Sequence, residues 1–359
     1  MKRPLLLVLC LPALIGCNDA VTSDSCEVLP YAETGPHVVG IMETAWDEAP
    51  VEVWYPAAAA SGQPAAYDMR NWLPEETREA IPLASPTSFT MNAYRGAAAL
   101  PGSYPIVLFS HGFGGYRLQS SFLMTHLASW GFIVIAPEHP ERNITSVLAM
   151  GEIGDDSSRQ LRGALDAFLA GELPGLTELA GYAQPTNIFV SGHSAGGAPV
   201  QNLVDDSDLN VRAWAGMATI AYPTSETTPG LVLAGEADEI AEISLVQRAY
   251  SELSARPKTF VSLRDAGHLA FSDICAIGRS EGGVLAIAMT AGLEIPNVVA
   301  RLATDGCRET NLPAEAGWRP INHFVTEHFL AALHSAGEMQ SSSVEGCPSD
   351  TIAEFRSEL

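Results

Sequence analysis

The stretch Ile188-Phe189-Val190-Ser191-Gly192-His193-Ser194-Ala195-Gly196-Gly197 places one hydroxyl among small residues, directly after four strand-like positions. Gly192-x-Ser194-x-Gly196 has the spacing of a nucleophile elbow, a sharp strand-to-helix bend that stands a serine clear of its neighbours. A serine hydroxyl attacks poorly until a base takes its proton, so a histidine and an orienting acid are required. In this arrangement the acid and then the histidine follow the serine along the chain. His268 fits the base. It sits on a Gly-preceded turn in "FVSLRDAGHLAFSD", just after a strand-like run, whereas His323, His328 and His334 fall in a helical pattern and read as surface or packing residues. "LVLAGEADEI" offers Glu236, Asp238 and Glu239 after the preceding strand; the short Asp238, three residues beyond Gly235, suits a loop acid that fixes the imidazole tautomer. The negative oxygen of the transition state needs two fixed donors. The backbone N–H of Ala195 is one candidate. The N–H of Phe113 is the other, in His111-Gly112-Phe113-Gly114-Gly115, where Gly112 lets the backbone approach substrate. Gly192 and Gly196 are expected to permit the bend itself.

Such groups must be carried by a scaffold, and the chain shows one from residue 105 onward. Ile106–Phe109 and Phe132–Ala136 are unbroken apolar runs, as strands buried on both faces require. Between and after them lie helical patterns over Leu118–Trp130, Ser157–Ala170 and Ala195–Val204. Val211–Gly216, Leu231–Ala234 and Thr259–Leu263 continue the strands, and Ile243–Ser254 and Ile321–His334 the helices. The alternation predicts an α/β fold with a mostly parallel central sheet and helices on both faces, in one domain. His37–Ala45 and Val51–Tyr55 read as earlier strands, and residues 57–104 as a long connection that covers or shapes a site, with helical potential over Pro74–Ala80.

The stretches "VEVWYP", "PIVLFSHGFGGYRLQSSFLMTHLASWGFIVIAPEHPERN", "GHSAGG", "LVLAGEADEI" and "DAGHLAFSD" resemble the platelet-activating-factor acetylhydrolase group of the α/β-hydrolase superfamily. Bacterial dienelactone-hydrolase-like esterases and cutinase-like polyester hydrolases are neighbouring groups. The resemblance covers roughly residues 36–335 in spaced motifs. It implies an α/β-hydrolase fold, Ser194, Asp238 and His268 as the triad, Phe113 and Ala195 as oxyanion donors, and no cofactor. The expected activity is hydrolysis of neutral or lipid-type esters with short acyl chains favoured; a polyester is the alternative substrate, and a peptidase or a non-catalytic binding module are rival classes. A strict dienelactone hydrolase would carry cysteine at position 194. Two departures bear on the pocket. Ala195 stands where relatives often have Phe or Met, and residues 273–318 form a longer excursion, read as a lid or pocket wall.

The chain has 359 residues, 47% hydrophobic and 17% charged, with a net charge of −23. That charge opposes binding to nucleic acid or to anionic lipid headgroups. Met1-Lys2-Arg3 precedes an apolar run from Leu5 to Ile15, too short to span a bilayer but suited to an export signal. Leu14-Ile15-Gly16-Cys17 resembles a bacterial lipobox, so residues 1–17 are read as a lipoprotein signal with Cys17 as the lipid anchor in the cell envelope. Ordinary cleavage to a secreted soluble protein is the alternative. Residues 18–35 read as a tether, 36–340 as the hydrolase domain and 341–359 as a tail. Cys26, Cys275, Cys307 and Cys347 remain, an even number in an oxidising compartment. The favoured pairs are Cys275–Cys307 and Cys26–Cys347. No Cys-x-x-Cys pair supports a metal site. Nothing in the sequence sets the oligomeric state.

Overall fold

The computed structural model describes residues 29–150, 154, 156–334 and 350–358. Its centre is one eleven-stranded sheet. In chain order the strands are β1 (Val38–Trp46), β2 (Ala49–Ala57), β3 (Gln63–Asp68), β4 (Ser88–Arg95), β5 (Tyr104–Ser110) and β6 (Ile133–Pro137). They continue with β7 (Ala183–His193), β8 (Val211–Met217), β9 (Gly230–Gly235), β10 (Lys258–Leu263) and β11 (Ile352–Glu358). Across the sheet the order is β11-β10-β9-β8-β7-β5-β6-β2-β1-β4-β3. From β6 to β10 neighbouring strands are parallel, while β2 and β11 flank this block antiparallel.

The helices are α1 (Glu75–Ala80), α2 (Ser121–Ser129), α3 (Ile144–Leu148), α4 (Ser157–Leu169) and α5 (Thr177–Ala180). After the elbow come α6 (Gly197–Val204), α7 (Ile243–Glu252), α8 (Gly283–Thr290), α9 (Asn297–Thr304) and α10 (Ala314–His334). Side chains alternate across each central strand, so two cores form. Val107, Phe109 and Phe189 pack with α2 and α10 on one face. Ile106, Leu108, Ile188 and Val190 pack with α4, α6 and α7 on the other. This is why those strands read as unbroken apolar runs: both faces are dry. The chain leaves central β5 for β6 on one side, then crosses back to β7 on the other. A crevice opens at such a reversal of strand order, outside the carboxyl ends of the strands.

Three expectations change. Residues 57–104 are not only a connection, because β3 and β4 extend the sheet beyond β1 with α1 between them. The proposed tail 341–359 contains β11, whose ladder covers the edge of β10 from Lys258↔Glu358 to Leu263↔Ile352. An uncovered edge of that length would leave its polar groups unpaired, and the buried Ile352 anchors the pairing. The described end of the tether is also docked: Tyr31 stacks on His323 and meets Trp130 edge-on, and His126 Nε2–H donates to Tyr31 O at 2.8 Å. Cys17, Cys26 and Cys347 lie outside the described residues.

Candidate active site

At the end of β7 the backbone turns so tightly that Ser194 takes φ +55°, in the left-handed region most side chains avoid. Two glycines make the turn possible. A Cβ on Gly192 would lie 2.2 Å from Gly196 O, and one on Gly196 would lie 2.2 Å from Ser110 O in the neighbouring strand. A short 3-10 turn over Ser194–Gly196 leads into α6. The hydroxyl therefore stands over a helix amino terminus, where the first N–H groups lack intrahelical acceptors.

The parallel neighbours β9 and β10 end beside this bend and deliver the other two groups. His268 Nε2 lies 2.8 Å from Ser194 Oγ, and His268 Nδ1 lies 2.9 Å from Asp238 Oδ2. His268 and Asp238 are both buried. Asp238 Oδ1 accepts from the N–H groups of Ile240 and Ala241 at 2.8 and 2.7 Å. Burial works to raise the Asp238 pKa, but the His268 contact and the two amides hold it below the ordinary carboxylate value. The geometry makes Asp238 an acceptor from Nδ1–H, which leaves Nε2 free to take a proton from Ser194. Glu239, the neighbouring candidate acid, is ion-paired at the surface with Arg308.

The loop after β5 approaches from the other side. A Cβ built on Gly112 would sit 3.1 Å from Ser194 Cβ, so this glycine lies against the elbow. Among the described residues the Phe113 N–H finds no acceptor. The loop is pinned from below: Gly114 N–H donates to Arg142 O at 2.8 Å, and Arg142 Nη2 donates to Ser110 Oγ and His111 O, each at 2.9 Å. His139 adds a contact to Ser110 Oγ at 2.9 Å and donates its N–H to His111 Nε2 at 3.0 Å. "SHGFGG" and "EHPERN" thus form one unit. Sequence reading noted both stretches but gave Arg142 and His139 no role.

His193 and Gln119 were also missed. Gln119 Nε2 donates to His193 Nδ1 at 2.9 Å, and His193 Nε2–H donates to the backbone oxygen of His268 at 3.0 Å. Burial pushes the His193 pKa down to about 3, so the ring stays neutral and works as a bridge from the elbow to the histidine loop. The "GHSAGG" spelling offered His193 only as a variable position, and its partners lie 74 and 75 residues away.

A cavity of about 130 Å³ opens beside His268 and Phe113. Leu73 and Ile81 wall it from the β3–β4 insertion, Val147 from α3, and Val284 and Leu302 from the 273–318 excursion. Its few polar groups are His268, His193 and Gln119 near the chemistry, and Arg70 and Thr87 elsewhere on its wall. Arg70 is not a free cation there, since its Nε donates to both Asp68 oxygens at 3.0 Å. The excursion is stapled by the Cys275–Cys307 disulfide, across 32 residues. Among the described residues no cluster of three His, Cys, Asp or Glu is placed to hold a metal ion.

Residues 28–160 match the family model for platelet-activating factor acetylhydrolase, isoform II. A platelet-activating factor acetylhydrolase of Gallus gallus is 40% identical over 60 residues, which is 16% of this chain and 14% of that protein's length. A ferulic acid esterase from Streptomyces cinnamoneus superposes with a TM-score of 0.61 at 21% identity, covering 89% of this chain and 96% of the esterase. The chain has the α/β-hydrolase fold, and residues 28–160 are similar to platelet-activating factor acetylhydrolases.

Proposed function

We propose that the protein is a serine ester hydrolase that works through an acyl-enzyme on Ser194. The observation that carries this reading is the continuous relay from Ser194 Oγ through both ring nitrogens of His268 to Asp238, at 2.8 and 2.9 Å. Ser194 Oγ attacks the ester carbonyl carbon while its proton passes to His268 Nε2. The carbonyl oxygen gains the negative charge, and the N–H groups of Phe113 and Ala195 receive it. The ester C–O bond then breaks, and the proton on Nε2 goes to the leaving alkoxide. A water gives its proton to the same nitrogen and attacks the acyl carbon. The second collapse returns the proton to Ser194 Oγ and releases the acid. Asp238 stays ionised throughout and steadies the imidazolium. No step calls for a cofactor.

The apolar, roofed cavity supports a discrete ester with short or compact apolar arms, as in the acetylhydrolase relatives, over a polymer chain. The sequence of residues 1–17 supports export with a lipid anchor at Cys17. Incubation of folded protein with a fluorophosphonate, followed by peptide mass mapping, should place the adduct on Ser194. Rates on p-nitrophenyl acetate, butyrate and palmitate should fall in that order. Failure of Ser194 to label would sink the mechanism; a maximum at palmitate would sink the short-arm reading alone.

A further inference from the structure

The closing end of the 273–318 excursion does more than wall the cavity. Asp305, fully buried, accepts from the backbone N–H of His268 through Oδ1 at 3.0 Å and from the N–H of Glu239 through Oδ2 at 2.9 Å. Its own carbonyl accepts from Leu269 N–H at 2.8 Å. One side chain therefore spans the two loops that present Asp238 and His268, binding the residue beside the first and the backbone of the second. Two neighbours grip the same acid loop. Arg301 Nη2 donates to Glu239 O at 2.7 Å, and Arg308 Nη2 donates to Glu239 Oε2 at 2.9 Å. The fit is close: a Cβ on Gly267, next to the histidine, would lie 2.5 Å from Asp305 Oδ1. Cys307, two residues on, is tied to Cys275 just past the histidine turn, so the strand of chain carrying Asp305 is fastened at that point.

We propose that Asp305 is a positioning residue for catalysis: it sets the separation and angle between the His268 and Asp238 loops, so that the pocket wall and the proton relay are one mechanical unit. The proposal rests on the reading of Ser194, His268 and Asp238 as one catalytic set. Asp305 touches no reacting atom. Its contribution lies in holding Nε2 on the line to Ser194 Oγ, where displacement by about 1 Å can cost on the order of 10²-fold in rate.

Asp305→Ala and Asp305→Asn test it on the full chain. With p-nitrophenyl acetate, Asp305→Ala should lose about 10²-fold in kcat while KM stays within about threefold, the pattern of a misaligned relay and not of a damaged pocket. Asp305→Asn keeps the volume and one acceptor oxygen but turns an amide N–H₂ toward the other donor. It should lose about tenfold, and it keeps the test open where the alanine variant does not fold. The downfield proton resonance of His268 Nδ1–H against Asp238 reads the alignment without turnover. It should broaden or move in both variants. A kcat within about threefold of wild type, or a loss carried by KM alone, would overturn the proposal. If the wild-type chain neither labels on Ser194 nor turns over esters, the functional reading fails instead. The proton resonance then decides on positioning alone, and an unchanged signal in the variants overturns it.

Discussion

The parallel block β5–β10 and the two insertions that roof the cavity are built on different physics. In the block, strand ends fix the candidate site. Ser194 and Asp238 follow strands paired in parallel on both sides, and His268 follows β10, parallel to β9 on one side and antiparallel to β11 on the other; the carboxyl halves of all three strands are buried. Little can move there without opening the core. The insertions over residues 63–95 and 273–318 instead face the cavity with apolar side chains but are held by a few polar pins. Asp273 is the clearest: its Oδ2 accepts from Ser121 N–H and Tyr67 O–H at 2.9 and 3.0 Å, and its Oδ1 from Phe122 N–H at 3.1 Å. It thereby ties the excursion to the head of α2 and to β3. On the proposed function, reaction type belongs to the sheet and substrate range to the segments fastened to it.

The largest expected effect tests the first half of that statement. Ser194→Ala should lower kcat on the order of 10⁶-fold, as removal of a triad serine does elsewhere. Circular dichroism and the melting temperature should stay near wild type, because the hydroxyl supports no core packing. Turnover within tenfold of wild type would move the chemistry away from the elbow. A second test separates insertion from sheet. Replacing Cys275 and Cys307 together by Ala should cost about 4 kcal/mol for a loop of this length. Amide exchange should quicken in α8 and α9 and stay slow in β5 and β7. Equal loss of protection in both regions would show that the excursion and the sheet unfold as one.

The smallest effect sharpens the same contrast through pH. Burial pushes His126, His323 and His328 down to about 4 and His193 to about 3, against an ordinary 6.5. Their contribution is complete above pH 6.5. It is lost as pH falls toward 4, because the unfolded chain binds protons that the folded chain refuses. Burial pushes Asp273 the other way, up to about 7 from an ordinary 3.8, so its contribution falls as pH rises from about 4 to 7. The melting temperature should therefore climb from pH 4 to 6.5, and Asp273→Asn should steepen that climb. A slope unchanged by the substitution would mean that Asp273 does not titrate in that window.

Legibility in the sequence followed the same division. Ile106–Phe109, Phe132–Ala136 and Ile188–Ser191 were readable because burial on both faces forces unbroken apolar runs. The elbow was readable because Gly192 and Gly196 answer to steric demands that no other residue meets. His268 and Asp238 were recoverable from their place just past strands, and the structure puts both within hydrogen-bonding distance in one chain of contacts with Ser194. Asp305, Asp273, Gln119 and His193 left no such trace. Each acts through partners remote in sequence, such as Asp273 with Tyr67, 206 residues away, and a lone polar residue in a loop looks the same whether solvated or buried. Strand β11 escaped for a related reason. Ile-Ala-Glu-Phe-Arg-Ser-Glu carries charges because its outer side faces solvent, so it has the composition of a tail. Two of its side chains, at Ile352 and Phe355, pack against the core.

Much of the cavity wall comes from three stretches outside the parallel block: the β3–β4 insertion, α3, and residues 273–318, which run from the histidine turn into α10. A scaffold of this kind lends itself to re-targeting by grafting. On the proposed function, exchanging α3 or the β3–β4 insertion with that of another hydrolase should alter which ester arms are admitted and leave the Ser194–His268–Asp238 contacts in place. The 273–318 stretch is the exception. Its closing turn is hydrogen-bonded to the histidine and acid loops, so on the positioning role proposed for Asp305 a transplant there must bring the carboxylate at 305 along or lose speed.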